Sequence, residues 1–307
     1  MPTLQQFRYL VALADALHFR RAAESMNVTQ PTLSTQLREL ETKLGVQLVE
    51  RSRSGVTMTP LGAEVVARAR TILRDVADIE ALTRAGADPL SATVRIGVVT
   101  SLGSYFLPLV VPDLHAAYPD LKLYVREGPA VDLLSRLRDG ALDALCYPLP
   151  VDGDDLHVEP LFHEPLHLVM PVDHHLAEVD FVPRSALRGE TLMTLEAGHR
   201  LHDAVADLAE ETGAMLSLDW EGTSLDTLRQ MVATGLGLSV LPALYIRSEV
   251  ARETLVVARP ISDPAPGRDI GMIWRRRAAH GAALAELAAR IRASLRQVSP
   301  EVAVNDA

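Results

Sequence analysis

The sequence predicts an α/β protein in two parts, a small helical module followed by a larger two-lobed body. Three observations carry that expectation. Leu33, Leu37, Leu40 and Leu44 recur at helical spacing beside an outward face of short polar groups. From residue 90 the pattern changes to apolar strands alternating with helices, as in a parallel α/β layer. That alternation then occurs twice, in two stretches that mirror each other.

The composition bounds the possibilities. A chain of 307 residues, 48% hydrophobic and 23% charged, has room for two or three domains and a sizeable core. Asp15, Arg20 and Arg21 interrupt the only apolar N-terminal run, and the basic, apolar and small-residue order of a signal peptide is missing. The expected location is cytoplasmic, with no membrane partner. A lone cysteine, Cys146, excludes an intramolecular disulfide and a cysteine-cluster metal site. No cofactor and no metal are expected. The net charge is −10, but residues 1–62 hold seven Lys/Arg against five Asp/Glu, a local +2 that leaves −12 on the remainder. A small basic module on an acidic body suits a site-selective binder of DNA rather than a coating protein.

Residues 17–45, LHFRRAAESMNVTQPTLSTQLRELETKLG, read as a short helix, a tight turn and a longer helix. Thr29 is a suitable N-cap and Pro31 falls in the first turn, where its missing N–H costs little. Gln30, Ser34 and Arg38 stand four apart on a line about 90° from the leucine stripe, with Pro31 and Thr35 beside it. Ala22 and Ala23 permit close packing of the preceding helix, and Val28 can plug the turn. An ordinary amphipathic helix explains the leucines but not the outward amide and hydroxyl groups, which both donate to and accept from base edges.

Two neighbouring segments extend this reading. Residues 45–51 and 56–59 bracket a turn-rich tip at 52–55, a β-hairpin wing carrying Arg51 and Arg53 towards phosphates. Thr59-Pro60 then opens a long helix in which Val65, Ala69, Ile72, Val76 and Ile79 alternate steps of four and three. Polar residues surround that stripe, which favours a seam between two chains over packing within one. Ala85-Gly86-Ala87-Asp88-Pro89 breaks the helix and forms a linker.

The run LHFRRAAESMNVTQPTLSTQLRELETKLGVQLVERS, followed by a Thr-Pro-x-Gly helix start, resembles the DNA-binding domain of LysR-type transcriptional regulators. The resemblance covers almost the whole chain and is most specific in residues 4–62. It implies a winged helix-turn-helix over 1–62, a dimerising linker helix over 63–88, and a two-lobed, periplasmic-binding-protein-like effector domain over 89–307. Lobe I would comprise about 89–164 and 268–300, and lobe II about 165–267. By the same resemblance Gln30, Pro31 and Ser34 lie at base edges, while Thr29, Arg38, Arg51 and Arg53 are candidates for backbone contact on double-stranded promoter DNA. It also implies homodimers that pair into tetramers, with RNA polymerase as a candidate partner.

The repeat locates a second site. In the first stretch a strand at 95–99 leads through Thr100-Ser101 to a helix ending at Tyr118 and a strand at 121–125. In the second, 191–195 leads through Gly198-His199-Arg200 to a helix ending at Thr212 and a strand at 216–220. The segments that follow, 132–147 before Pro148 and 225–241 before Pro242, also correspond. The strand at 270–274 and the helix at about 282–296 return to the first lobe. Helix N-termini then meet across a cleft that suits a small polar or anionic effector. Thr100, Ser101, His199, Arg200, Asp203, Thr223 and Ser224 are the candidate effector residues; a helix cap is the competing role for each hydroxyl.

PLFHEPLHLVMPVDHHLA, LEAGHRLHDAV and GTSLDTLRQMVATGLGLSVLPAL narrow the resemblance to the peroxide-sensing, OxyR-like branch. That branch carries a peroxidatic cysteine directly after the Gly-His pair and a resolving cysteine nine residues later. Here those positions hold Arg200 and Ala209, while His199 and Asp203 are kept. Ala130 replaces the branch's polar residue after the second strand. Peroxide reduction needs a thiolate and a regulatory disulfide needs two, so thiol-based sensing is not expected. Cys146, in an apolar run, reads as a buried inert thiol.

Arg200 can instead grip a carboxylate, or it can form a permanent salt bridge to an acid such as Asp203 and lock one state. The sequence leaves both open. A hydrolase using His199 and Asp203 is the rival from another class, but Gly-x-Ser-x-Gly is absent and no nucleophile is placed. A free solute-binding protein would leave residues 1–88 without a role. The expectation is a non-enzymatic regulator in which ligand binding between the lobes shifts a population of states.

Overall fold

Side-chain caps and a leucine core organise the first unit of the computed structural model, Met1–Ala87. The structure describes residues 1–52, 55–84, 93–220, 222, 224–262, 264–278 and 280–305. Helix α1 (Leu4–Ala16) opens with a capping box in which the Thr3 hydroxyl accepts from Gln6 N–H and Gln6 Oε1 accepts from Thr3 N–H. Helix α2 (Phe19–Ser25) is capped by the His18 ring and α3 (Gln30–Leu44) by the Thr29 hydroxyl. Gly45, at φ +70°, ends α3 in the left-handed region that glycine enters without strain. Strands β1 (Val49–Ser52) and β2 (Gly55–Met58) form an antiparallel hairpin, in register from Val49↔Met58 to Ser52↔Gly55.

Helix α4 (Pro60–Arg84) completes the unit. Gly62 is required there, because a Cβ would sit 2.0 Å from the Leu48 carbonyl oxygen. Leu10, Leu13, Leu33, Leu37, Leu40 and Leu48 form the buried centre. Leu44, expected in that stripe, is exposed instead, since it lies in the last turn of α3. The expected seam of α4 also divides. Ala69 is buried within the module, where α4 lies against α1, whereas Ile72 and Ile79 are 39% and 61% exposed. The proposed linker at 85–89 lies outside the described residues.

The second unit, Asp88–Ala307, is built on one continuous mixed sheet. Lobe I contains β3 (Thr93–Val99), α5 (Gly103–Ala117), β4 (Lys122–Gly128), α6 (Ala130–Arg138) and β5 (Ala144–Pro148). The long strand β6 (Leu156–Pro171) leads to lobe II, which contains β7 (Val182–Pro183), β8 (Thr191–Met193), α7 (Arg200–Thr212), β9 (Met215–Leu216), α8 (Leu225–Ala233), β10 (Leu238–Pro242), α9 (Ala243–Ser248) and β11 (Val256–Ser262). Strand β12 (Gly267–Arg275) returns to lobe I, followed by α10 (Gly281–Val298) and β13 (Ala303–Val304).

Strands β4, β3 and β5 are parallel, as are β10, β8 and β9. The purely parallel layer expected from the repeat is corrected by the crossover strands. Strand β12 runs antiparallel to β5 and β6, and β6 runs antiparallel to β10 and β11. Strand β6 changes partners along its length, pairing with β12 up to Pro165 and with β10 from Leu166. The second-lobe strand expected at 216–220 is reduced to the two residues of β9. Each lobe has its own core, one around Val98, Phe106, Leu145 and Phe162, the other around Leu168, Val205, Leu228 and Val240.

A buried ion pair sits where β6 and β12 cross between the cores. Arg268 donates from Nε to Glu164 Oε2 at 2.9 Å, and Glu164 Oε1 accepts from Leu244 N–H at 2.9 Å. Arg268 also donates to the Ser101 hydroxyl at 2.7 Å and to the Ser101 carbonyl at 2.9 Å. Glu164 is 0% and Arg268 8% exposed, so each charge depends on these partners. Arg268→Ala should destabilise the full chain by about 3–5 kcal/mol in chemical denaturation, because it strands a buried carboxylate. The double variant Glu164→Gln with Arg268→Gln should lose less than the sum of the single variants, since no unpaired charge remains.

Candidate functional site

In the first unit, the turn between α2 and α3 places a polar helix face outward. Asn27 takes a left-handed conformation at φ 53°, and Val28 N–H returns to Ala23 O at 3.0 Å. Ala22 and Ala23 are buried, so the two helices approach closely. The Thr29 hydroxyl accepts from Thr32 N–H at 3.4 Å and lies 2.8 Å from the Thr32 hydroxyl. Gln30, Pro31, Thr35 and Arg38 are exposed. Ser34 differs from the outward position expected for it. It is 9% exposed, a short side chain on the line between the longer Gln30 and Arg38.

Arg38 has no ion-pair partner among the described residues. Arg51 lies in β1, but its side chain is outside the described residues, and so is Arg53 altogether. Glu41 carries no motif signal in the sequence. Its Oε1 accepts from Leu48 N–H at 2.8 Å and Val49 N–H at 3.1 Å, which fixes the start of the hairpin to the outward-facing helix.

In the second unit, the start of α6 in lobe I and the start of α7 in lobe II line one cavity of about 420 Å³. Ala130, Val131, Leu134 and Arg138 contribute from α6, Gly198 from the loop before α7, and Arg200 and Asp203 from α7. Tyr147, Val151 and Asp152 complete the lining. Neither helix has a side-chain cap bond at its first turn, and the same holds for α5 and α8. Helix starts of this kind leave N–H groups and partial positive charge for a ligand.

Arg200 is exposed in this cleft and donates from Nη2 to the Pro150 carbonyl at 2.5 Å, a contact from lobe II to lobe I. No Arg200–Asp203 ion pair forms among the described residues, because Arg200 turns towards lobe I. Arg138 donates to the Asp152 carbonyl at 2.8 Å and to Asp155 at 3.3 Å. Burial pushes the Tyr147 phenol up, against the pull of the Arg200 and Arg138 guanidiniums. Tyr147 therefore stays protonated at neutral pH. Arg138 and Tyr147 were not expected; the spacing of 130, 134 and 138 along one helix face was the available signal.

The other predicted residues scatter. Ser101 is withdrawn from the ligand set, because it is buried and both its polar oxygens are bonded by Arg268. His199 faces Glu196, with Nε2 3.7 Å from Oε1, while Asp203 lines the cavity; the imagined His199–Asp203 dyad is not formed. Ser224 precedes α8 without capping it, and Thr223 lies outside the described residues. Thr100 Oγ1 is buried with no hydrogen-bond partner among the described residues, and Thr194 Oγ1, at the mirrored place after β8, shares that condition.

Residues 4–63 match the family described as "Bacterial regulatory helix-turn-helix protein, lysR family", and residues 87–296 match "LysR substrate binding domain". The chain belongs to the LysR family of transcriptional regulators. This LysR protein is 40% identical over 272 residues to the DNA-binding transcriptional dual regulator OxyR of Escherichia coli K12, covering 89% of each chain. It is 37% identical over 298 residues to a probable hydrogen peroxide-inducible genes activator of Streptomyces viridosporus, covering 97% of this chain and 96% of the relative. A solved cysteine-to-aspartate variant of full-length OxyR from Pseudomonas aeruginosa matches with a TM-score of 0.79 at 37% identity, covering 94% of both chains.

The family is one of regulators rather than enzymes, and the LysR protein is OxyR-like over most of its length. It departs at the redox positions. Arg200 opens α7, and Ala209 is buried in the lobe II core on the same helix. The single thiol, Cys146, lies inside β5, where burial pushes it up to about 12. In the native LysR protein Cys146 should therefore label with a thiol reagent at least about 100-fold more slowly than in the urea-unfolded chain. Equal rates would show that the thiol is open.

Proposed function

We propose that this DNA-binding LysR-type regulator responds to a small polar or anionic effector held noncovalently in the inter-lobe cleft. Arg200 carries the proposal. It replaces the cysteine expected of the branch with a guanidinium at an uncapped helix start, on the wall of a cavity that also holds Arg138 and protonated Tyr147. Such a group binds carboxylates in a bidentate manner.

The output end is assigned on the same terms. Residues 1–62 bind DNA, residues 63–88 dimerise and residues 89–307 sense the effector. Gln30, Pro31 and Ser34 read base edges, while Thr29, Arg38, Arg51 and Arg53 meet phosphates. Exposed Ile72 and Ile79 on α4 support a seam between two chains, and two such dimers would assemble a tetramer. Effector binding changes the lobe orientation and so the spacing of paired recognition helices.

A second reading has one observation in its favour. The Arg200–Pro150 bond already ties lobe II to lobe I, as in a regulator locked in one state without effector. Calorimetry with a panel of small mono- and dicarboxylates separates the two. Saturable binding that Arg200→Ala weakens at least about 10-fold supports the sensing role. Unchanged affinity in Arg200→Ala removes Arg200 from the site, and the absence of saturable binding across the panel favours the locked state. For the DNA end, Arg38→Ala should weaken binding uniformly across sequences and reduce the salt slope by about 1, while Ser34→Ala should alter sequence preference. Binding insensitive to both changes would contradict the helix placement.

A further inference from the structure

Lobe II gathers three metal-ligating side chains that take no part in the cleft cavity. His174 and His175 stand at the 3-10 turn His175–Glu178 that follows β6, and Glu190 directly precedes β8. Their donor atoms all lie within 4.8 Å of one another, the only such trio of His, Cys, Asp or Glu among the described residues. His174 Nε2 is 3.6 Å from Glu190 Oε2, and His175 Nε2 is 3.7 Å from Glu190 Oε1. These separations exceed hydrogen-bond length, and the contacts are ion pairs only when the imidazoles are protonated. The separations lie close to the donor spacing of about 3.4 Å that a tetrahedral ion with bonds of about 2.0–2.1 Å requires.

The backbones that carry the trio are held in place. His174 N–H donates to Pro171 O at 3.1 Å, and its carbonyl accepts from Ala177 N–H at 2.8 Å. Glu190 N–H donates to Leu187 O at 3.0 Å, and its carbonyl accepts from Met215 N–H at 2.8 Å. The His174 and Glu190 side chains are largely buried, while that of His175 is 69% exposed and leaves a way in from solvent. We propose that His174, His175 and Glu190 bind a divalent transition-metal ion of the zinc class, with a water on the fourth position. Two imidazoles and one carboxylate suit such an ion, and the open coordination resembles sites that exchange ligand. Coordination through His174 Nε2 moves the ring proton to Nδ1, so the 3.3 Å bond from Leu176 N–H to Nδ1 is given up. No metal is expected from the sequence, where the lone cysteine excludes only a cysteine cluster and Glu190 stands remote from the histidine pair.

The test is a zinc titration of the untagged, chelator-stripped full-length protein, read by calorimetry and by metal content after dialysis. About one zinc per chain is expected, with His175→Ala and Glu190→Gln each weakening it at least about 10-fold. His175 is the preferred variant, since its ring is 69% exposed and the turn is capped by His174 instead. His115→Ala, an exposed histidine on α5, should bind zinc as the wild type does. No saturable uptake, or equal affinity in wild type, His175→Ala and Glu190→Gln, overturns the proposal. So does an equal loss in His115→Ala.

Discussion

The ion pair between Glu164 and Arg268 is the constraint from which the two-lobed body takes its form. Both charges are buried at the point where β6 and β12 pass between the lobes, and neither has water to fall back on. Each is therefore bound to have its partners in place. Arg268 draws in the loop after β3 through Ser101, and Glu164 draws in the start of α9 through Leu244. Tyr105 of α5, stacked edge-on against Tyr245 of α9 at 4.9 Å, adds a second contact between the same two lobes. Away from this junction, the starts of α6 and α7 line one cavity.

How much could be read beforehand depended on how far apart the interacting residues lie. The first unit was readable because its determinants are local. Thr29 caps α3 through the N–H three residues on, Gly45 ends it, and Gly62 meets Leu48 across a single hairpin. Errors there sit at element ends, where Leu44 drops out of the core. In the body, the bond that takes Ser101 out of the ligand set reaches Arg268, 167 positions away, so no local pattern signals it. The strand directions of β6 and β12 were missed for the same reason, since the repeat describes each lobe but not the segments that join them. Arg200 heads α7, but its partner Pro150 lies fifty positions away, so no local pattern foretells the bond between them.

The comparison with OxyR relatives makes the departures more informative than the likeness. The helix-turn-helix half and the two-lobed half are both kept. What differs is the chemistry at one helix start. A thiolate reacts, changes covalent state and must be reset by a reductant. A guanidinium does none of these; it binds and releases. An input of that sort is set by ligand concentration and affinity, and it reverses as the ligand leaves. Cys146 offers no substitute, because its place inside β5 keeps it protonated and enclosed.

On the proposed reading, this regulator keeps the OxyR-like frame and takes a noncovalent input in place of a covalent one. Hydrogen exchange of the full-length protein, followed by mass spectrometry across a hydrogen peroxide titration, tests it most directly. The amides of residues 128–134 and 198–205, at the two helix starts that line the cleft, should exchange at the same rate with and without peroxide. A peroxide-dependent change in those amides that a thiol reductant reverses would contradict the account.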